Sequence, residues 1–178
     1  MYLLNIESAY NNLLRIIKNS QQLGIIDMEE VEFIGPHELN ELIKLYNHLH
    51  EKDLPPPSKE KLEHIWNEIQ SNPLLIYFVV KIKGEFVSSC TLSIIPNLTR
   101  GGRPYGLIEN VVTHKNFRRK GYATKILKKA LQYAWEKRCY KVMLLTGSKD
   151  PGVFEFYAKA GFKKDIKTGF IAQNTILD

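Results

Sequence analysis

The chain has 178 residues, of which 44% are hydrophobic and 25% are charged. This length and composition are typical of one soluble globular domain and exclude a disordered or fibrous chain. The longest apolar stretch, Leu74 to Val80, is too short to span a bilayer, and polar residues interrupt the N-terminal stretch that a signal peptide would need. The two cysteines, Cys90 and Cys139, do not suggest a disulfide framework. We therefore expect a cytoplasmic protein with both thiols reduced.

Positive charge is concentrated in one segment, although the formal net charge is only +6. Between Lys115 and Lys141 only Glu136 is acidic, so this segment carries a charge of +9 and the rest of the chain carries −3. The segment holds ten basic residues: Lys115, Arg118, Arg119, Lys120, Lys125, Lys128, Lys129, Lys137, Arg138 and Lys141. A nucleic acid, an acidic membrane face or a polyanionic cofactor would suit such a region, and so would plain solvent around a charged helix.

The first half of the chain begins with helical patterns. Apolar residues recur every three or four positions in residues 1–27, which predicts an N-terminal helical extension ahead of a main domain at 28–178. The main domain or a second subunit in a homodimer would cover the apolar stripe of this N-terminal helix, because an isolated helix of this length is only marginally stable. A second helix is predicted over 36–50. After the extended loop at 55–57, Ser58 is a suitable N-cap for a third helix, which ends at Asn72 and Pro73.

The pattern then changes to strands and alternates with helices to the end. Strands are predicted at 74–81, 86–95, 107–113, 142–146 and 162–172, with a hairpin turn at 83–85 and a loop at 96–106. Helices are predicted from about Gly121 and from Pro151, the second ending at Gly161. This order predicts an α/β (α+β) fold in which a mixed sheet is flanked by helices.

The sharpest local feature is the string Arg118-Arg119-Lys120-Gly121-Tyr122-Ala123, between a strand and a helix. Free N–H groups at a helix N-terminus bind phosphate, small residues let the backbone approach it, and the cations supply countercharge. The string is neither a P-loop nor a dinucleotide fingerprint. An ordinary basic turn before a helix would also explain it.

With the strand Leu107 to Thr113 before it and the segment Phe154 to Phe162 after it, the string resembles the GCN5-related N-acetyltransferase (GNAT) family. The resemblance covers roughly Leu74 to Ala172 and follows the family's order of elements. It implies a mostly antiparallel central sheet that splays at the strand binding acetyl-coenzyme A. It also implies transfer of the acetyl group from acetyl-CoA to an amine.

The resemblance places the cosubstrate on two stretches of chain. Residues Val111, Val112 and Thr113 would hydrogen-bond the pantetheine and thioester. The pyrophosphate would lie on the loop and first helical turn, at Arg118, Arg119, Lys120, Gly121, Tyr122, Ala123 and Thr124. The family often has Asn in the loop after the next strand. This chain has Thr146-Gly147-Ser148-Lys149-Asp150 there, which leaves Ser148 or Asp150 for that role.

Two residues are candidates for proton transfer. Glu109 lies beside the expected thioester, and strand alternation would turn Ile108 and Asn110 to the opposite face. Its carboxylate is a candidate base for the amine, acting directly or through water, or a structural acid. Tyr157 matches the family's tyrosine, whose phenol protonates the leaving thiolate. The two cysteines are interpreted as small buried hydrophobic residues, so no cysteine nucleophile is predicted. The histidines do not have the spacing of metal ligands, so no metal site is predicted.

The acceptor is not defined by the sequence, and a small amine, a peptide N-terminus and an aminoglycoside all stay open. Acceptor groups would lie in 48–57 and 97–105, where Arg100 and Arg103 are candidates for an acidic group on the amine. Two other classes stay open as well. One is a non-catalytic acetyl-CoA-binding module. The other is a nucleic-acid-binding protein, whose affinity would fall steeply with salt. The basic helix has few aromatic residues between its charges, which counts against nucleic-acid binding. We expect no membrane partner.

Overall fold

The fold is a five-stranded sheet with helices on both faces, described by a computed structural model for residues 30–49 and 54–174. The strands are β1 (Val31–Phe33), β2 (Leu75–Ile82), β3 (Glu85–Ile95), β4 (Tyr105–Thr113) and β5 (Val142–Leu144). The helices are α1 (Leu39–Tyr46), α2 (Lys59–Ser71), α3 (Tyr122–Glu136) and α4 (Pro151–Lys159), with a short 3-10 turn at Lys115–Phe117. The predicted mixed α/β architecture is therefore confirmed.

The strands lie in the order β1-β2-β3-β4-β5, so each strand pairs with its neighbour in sequence. The first three pairings are antiparallel, and β4 and β5 pair in parallel across the α3 crossover. Lys83 and Gly84 have positive φ values of 51° and 82°, as a two-residue hairpin requires. This confirms the hairpin that joins β2 and β3.

Each face of the sheet carries its own hydrophobic core. On one face α3 packs Ile126, Leu127 and Ala130 against the sheet, and we call this the α3-side core. On the other face Leu42 and Leu45 of α1 and Trp66 of α2 form the α1-side core. The indole of Trp66 also donates to the carbonyl of Pro36 at 2.7 Å. The sheet is therefore covered on both sides, which explains the long apolar runs in β2 and β3.

A β-bulge at Asn110 interrupts β4. Glu109 lies opposite Thr91 and Val112 lies opposite Ser89, so two residues of β4 face the single residue Cys90. Asn110 has a φ of 53°, in the left-handed region. The expectation that Asn110 shares the face of Ile108 is therefore wrong, because an extra residue breaks the alternation of the strand. Ile108 belongs to the α3-side core and Val112 to the α1-side core.

The helix boundaries follow the sequence signals closely. Ser58 caps α2 by accepting from the N–H of Lys61 at 3.3 Å. Asp150 caps α4 by accepting from the N–H of Gly152 at 2.8 Å, with Pro151 in the first turn. Gly121 precedes α3 with a φ of 89°. Strand β1 was not predicted, because three residues are too few to show a period.

The strand predicted at 162–172 is wrong. Asp165 has a φ of 64°, which breaks an extended run, and no strand of the described chain pairs with this segment. The apolar residues that suggested a strand are exposed, Phe170 to 92% and Ile171 to 72%. Apolar composition alone does not make a strand where no partner edge is available.

Some expectations concern residues that the structure does not describe. The proposed helical extension at 1–27 lies outside the described residues, and so do residues 50–53 of the expected acceptor loop. Over residues 30–49 and 54–174, no helix has both the length and the apolar character needed to cross a bilayer.

Candidate active site

The site is built around a gap that opens between β4 and β5. The two parallel strands pair only at Gly106, Leu107 and Ile108, whose partners are Val142, Met143 and Leu144. Beyond Ile108, β4 continues to Thr113, and among the described residues no strand covers that edge. Between Glu109 and Thr113 this edge therefore has backbone groups that no strand pairs, which an extended ligand could bond, although the carbonyl oxygens of Val112 and Thr113 already accept from Ser88 Oγ and Arg118 Nε. Val112 is buried there, while Val111 and Thr113 are half-buried.

At the end of this edge the chain turns into the N-terminus of α3 through a left-handed loop. Arg119 and Gly121 both have positive φ, 63° and 89°. A Cβ atom on Gly121 would meet no described atom within 4 Å, so the space in front of this glycine is open. That space lies at the N-terminus of the 15-residue helix α3, where the helix dipole favours an anion, and it is next in the chain to the exposed cations Arg119 and Lys120. The loop therefore suits an anionic group that approaches the backbone closely.

The side chain of Arg118 is directed elsewhere. Its Nε donates to the carbonyl oxygen of Thr113 at 3.2 Å, and its Nη2 donates to the carbonyl oxygen of His48 at 3.1 Å. This arginine ties the loop to the end of β4 and to the residues after α1. Lys120 is exposed, and its Nζ lies 4.9 Å from the centre of the Phe117 ring.

The first turn of α3 divides its residues between the core and the surface. Tyr122 is 6% exposed, and its ring packs in the α3-side core near Phe117. Ala123 and Thr124 are half-buried in the same turn. The predicted binding residues from Arg119 to Thr124 therefore lie together around one helix N-terminus.

Glu109 and Tyr157 come close to each other near the gap. Burial raises the pKa of the Tyr157 phenol, and the negative charge of Glu109 raises it further. Glu109 is exposed, and Tyr157 is half-buried against Phe156 and Phe162. The two candidate proton-transfer residues, 48 positions apart in sequence, thus lie close enough for the charge of Glu109 to act on the Tyr157 phenol, and Glu109 is the first residue of β4 beyond its pairing with β5.

The loop after β5 uses its polar side chains to build its own turns. The Ser148 hydroxyl accepts from the N–H of Asp150 at 3.2 Å, and Asp150 caps α4. Thr146 in turn accepts from the N–H of Ser148 at 3.2 Å. Ser148 lies in the loop that follows β5, but its hydroxyl oxygen already has a backbone partner.

Both cysteines are buried, and burial raises the pKa of each thiol. Cys90 is fully buried in the α3-side core, and Cys139 lies just beyond α3. A buried thiol of raised pKa is a poor nucleophile. Across the described ranges, no three His, Cys, Asp or Glu side chains are grouped so that they could hold a metal ion.

Sequence reasoning missed a set of hydroxyl groups behind Glu109. Tyr46 of α1 and Thr91 of β3 lie on the α1-side face, and Thr91 is directly opposite Glu109. Tyr46 follows the helical period and Thr91 the strand period, so each residue by itself looks like ordinary packing. No sequence signal joins them, because the pairing register of β3 and β4 brings Thr91 to Glu109.

The acceptor-side loop at 97–105 is held by its own contacts. Arg100 has a φ of 58°, and the Nε of Arg103 donates to the carbonyl oxygen of Arg100 at 3.2 Å. Asn97 donates to the carbonyl oxygens of Thr99 and Arg103. Arg100 and Arg103 are both exposed, and the Arg103 guanidinium also lies 5.9 Å from the centre of the Tyr140 ring.

Comparisons with known proteins agree with this geometry. A family model described as the acetyltransferase (GNAT) family matches residues 39–162. The chain is 31% identical over 140 residues to a glucosamine 6-phosphate N-acetyltransferase of Trypanosoma brucei brucei, covering 78% of this chain and 91% of that protein.

Solved structures share the fold. A proposed acetyltransferase of Agrobacterium tumefaciens strain C58 is 39% identical, with a TM-score of 0.76, over 82% of this chain and 99% of that one. The structure of AAC(6')-Iy with the bisubstrate analogue CoA-S-monomethyl-acetylneamine is 16% identical, with a TM-score of 0.66. It covers 82% of this chain and 97% of that one, and at this identity the likeness concerns the fold alone.

Proposed function

The chain belongs to the GNAT family of acetyltransferases and is an acyltransferase, and from this premise we propose that it transfers an acetyl group from acetyl-CoA directly to a primary amine. One observation carries the proposal. The gap between β4 and β5 begins at Glu109, whose charge acts on the Tyr157 phenol, and β4 leads from there to an open, cationic helix N-terminus. This arrangement offers a base, an acid and an anion site along one free strand edge.

The residues around the gap suit acetyl-CoA. The open space at Gly121 and the exposed Arg119 and Lys120 suit a pyrophosphate, and the uncovered edge from Val111 to Thr113 suits the amide groups of the pantetheine arm. When bound, acetyl-CoA supplies an acetyl thioester, which is an activated acyl donor.

The chain's own residues would then carry out the proton transfers. Glu109 accepts a proton from the acceptor ammonium, which frees the nitrogen lone pair for attack on the thioester carbon. The N–H groups of β4 near the bulge stabilise the oxyanion. Attack forms the C–N bond, and Tyr157 donates its phenolic proton to the departing sulfur as the C–S bond breaks. The second proton, which the nitrogen loses on becoming an amide, passes through solvent to the Tyr157 oxygen and restores the phenol. The raised pKa of Tyr157 keeps the phenol protonated at neutral pH.

A small amino sugar phosphate is the acceptor class that the comparisons favour. The relative from T. brucei brucei is named for glucosamine 6-phosphate, and the match spans 91% of its length. The described surface includes exposed Arg100 and Arg103 in the loop before β4, where a cation can meet an acidic group.

The test is coenzyme A release, followed with a thiol-reactive dye, from acetyl-CoA and glucosamine 6-phosphate, with mass spectrometry of the product. We expect a product heavier by one acetyl group. Glu109→Gln should lower kcat by about 10²–10⁴. Glu136→Gln, an exposed site at the end of α3, is the matched control and should keep wild-type turnover.

Each part of the proposal has its own contrary result. If acetyl-CoA binds but no amine in a broad panel releases coenzyme A, the chain is a binding module. If other amines react and glucosamine 6-phosphate does not, the acceptor class is wrong while the reaction stands. If Glu109→Gln turns over like the wild type, the base is solvent.

A further inference from the structure

Three buried hydroxyl groups on the α1-side face have no hydrogen-bond partner within the described residues. They are the hydroxyls of Tyr46, Ser89 and Thr91. Ser89 is fully buried and Thr91 is 5% exposed. A buried hydroxyl without a partner costs about 1–3 kcal/mol, so a folded protein rarely keeps three of them on one face. Ordered water is the usual partner of such groups.

Of these hydroxyls, the one on Thr91 lies beside Glu109, whereas Ser89 lies opposite Val112. Ser89 and Thr91 are two apart on β3 and therefore share a face, and Thr91 is paired with Glu109 across the strands. Side chains in such a pair have Cβ atoms about 4.5–5.5 Å apart. The Tyr46 phenol approaches from α1, and the side chains of Thr91 and Asn110 lie near it without reaching hydrogen-bond geometry.

The Tyr46 phenol stays neutral in this position. Burial raises the pKa of Tyr46, and the neighbouring Tyr77 and Cys90 add to the rise. Burial also raises the pKa of Tyr77. Because none of these groups ionises near neutral pH, Tyr46 and Thr91 can hold a water molecule by hydrogen bonds but cannot themselves take the amine proton.

We infer that the hydroxyls of Tyr46 and Thr91 hold one buried water that donates a hydrogen bond to the Glu109 carboxylate. The inference rests on the proposed function of Glu109 as base. A water needs two to four polar partners, and Tyr46, Thr91 and Glu109 supply three. Its hydrogen bond orients the carboxylate toward the ammonium, so the proton passes from nitrogen to a carboxylate oxygen. Tyr46 and Thr91 are then positioning residues.

The test uses Thr91→Val and Tyr46→Phe in the full-length protein, with Ser93→Ala as control. Ser93 follows Thr91 by two positions on the same face of β3. Wild-type turnover is measured first, since a wild type that acetylates no amine contradicts the proposed function rather than this inference. We expect Thr91→Val and Tyr46→Phe to lower kcat by roughly tenfold at pH 6, less than loss of a whole base.

The pH dependence separates positioning from structure. The loss should shrink toward pH 9, where the amine is already free and needs no proton acceptor, while KM for acetyl-CoA stays unchanged. Ser93→Ala should behave as the wild type. A loss that is equal at every pH, or unchanged kcat in both variants, would overturn the inference.

Thermal stability supplies a second readout that does not depend on activity. If the water is present, Thr91→Val removes one of its partners and lowers Tm. If the Thr91 hydroxyl has no partner at all, the same variant relieves a buried polar group and raises Tm. A raised Tm would therefore also overturn the inference, whatever the activity.

Discussion

Arg118 donates from Nη2 to the carbonyl oxygen of His48 at 3.1 Å, which joins the loop before α3 to the chain that follows α1. The same guanidinium donates from Nε to the carbonyl oxygen of Thr113. The loop that the proposed pyrophosphate site uses is therefore held in part by a side chain whose guanidinium already bonds two backbone carbonyls. Arg118 and Arg119 are adjacent in sequence, yet we expect them to have different roles.

Arg118→Ala should lower stability, and Arg119→Ala should lower affinity for acetyl-CoA. The first variant loses two hydrogen bonds from a charged group at an exposed site, worth roughly 1–2 kcal/mol together. The second removes countercharge and leaves the fold intact. Thermal unfolding and calorimetric titration with acetyl-CoA measure the two effects. Equal loss of Tm in both variants would contradict this division.

Gly121→Glu should abolish acetyl-CoA binding, because the new side chain fills the open space and carries like charge toward a pyrophosphate. Gly84→Glu is a matched control. Gly84 also has a positive φ, 82° against 89°, and also faces open space, but it lies in the β2–β3 hairpin. Both variants carry similar backbone strain, so only Gly121→Glu should change the affinity. Wild-type affinity in Gly121→Glu contradicts the site.

Tyr157→Phe should lower turnover by about 10² or more at unchanged acetyl-CoA affinity, since only the phenolic proton is lost. Tyr133→Phe, which removes a phenol from α3, controls for the loss of a hydroxyl group.

The pH profile tests the same role. A free phenol ionises near pH 10, and burial and Glu109 raise the pKa of Tyr157 above that value. The acid form therefore persists as the pH rises through 10, and turnover should show no loss from Tyr157 below that pH. If turnover fell near pH 8 in the wild type but not in Tyr157→Phe, the Tyr157 phenol would be ionising with a lowered pKa. That result would contradict the structure.

Changing Cys90 and Cys139 to Ala together should preserve kcat. Both thiols are buried, and their raised pKa values disfavour the reactive thiolate. We expect a modest loss of stability, on the order of 1 kcal/mol, from the smaller side chains in the core. Rapid mixing without acceptor should show no burst of coenzyme A. A burst equal to the enzyme concentration would indicate an acetyl-enzyme.

A truncated protein that starts at Met28 should unfold in one cooperative transition. The five strands and both cores lie at residue 31 and beyond, so the main domain contains its own hydrophobic interior. Circular dichroism during heating measures this. A gradual, non-cooperative melt would show that residues 1–27 complete the fold.

Local patterns in the sequence were enough to locate most elements and the cosubstrate loop. Ser58, Asp150 and Gly121 mark helix starts through cap chemistry and backbone freedom, which depend on a few neighbouring residues. The order of strand, basic loop and helix was equally readable, because hydrophobic period and turn residues are local properties. These features led to the family, which the comparisons confirm.

Only the tertiary structure decided how these elements meet. The bulge at Asn110 depends on the register of β3 against β4, and it sends Ile108 and Val112 to opposite cores. The strand predicted at 162–172 failed because a strand needs a partner edge, which apolar composition cannot supply. The pairing of Thr91 with Glu109 and the bond from Arg118 to His48 join residues far apart in the chain. Such contacts follow from packing and register, so no local pattern encodes them.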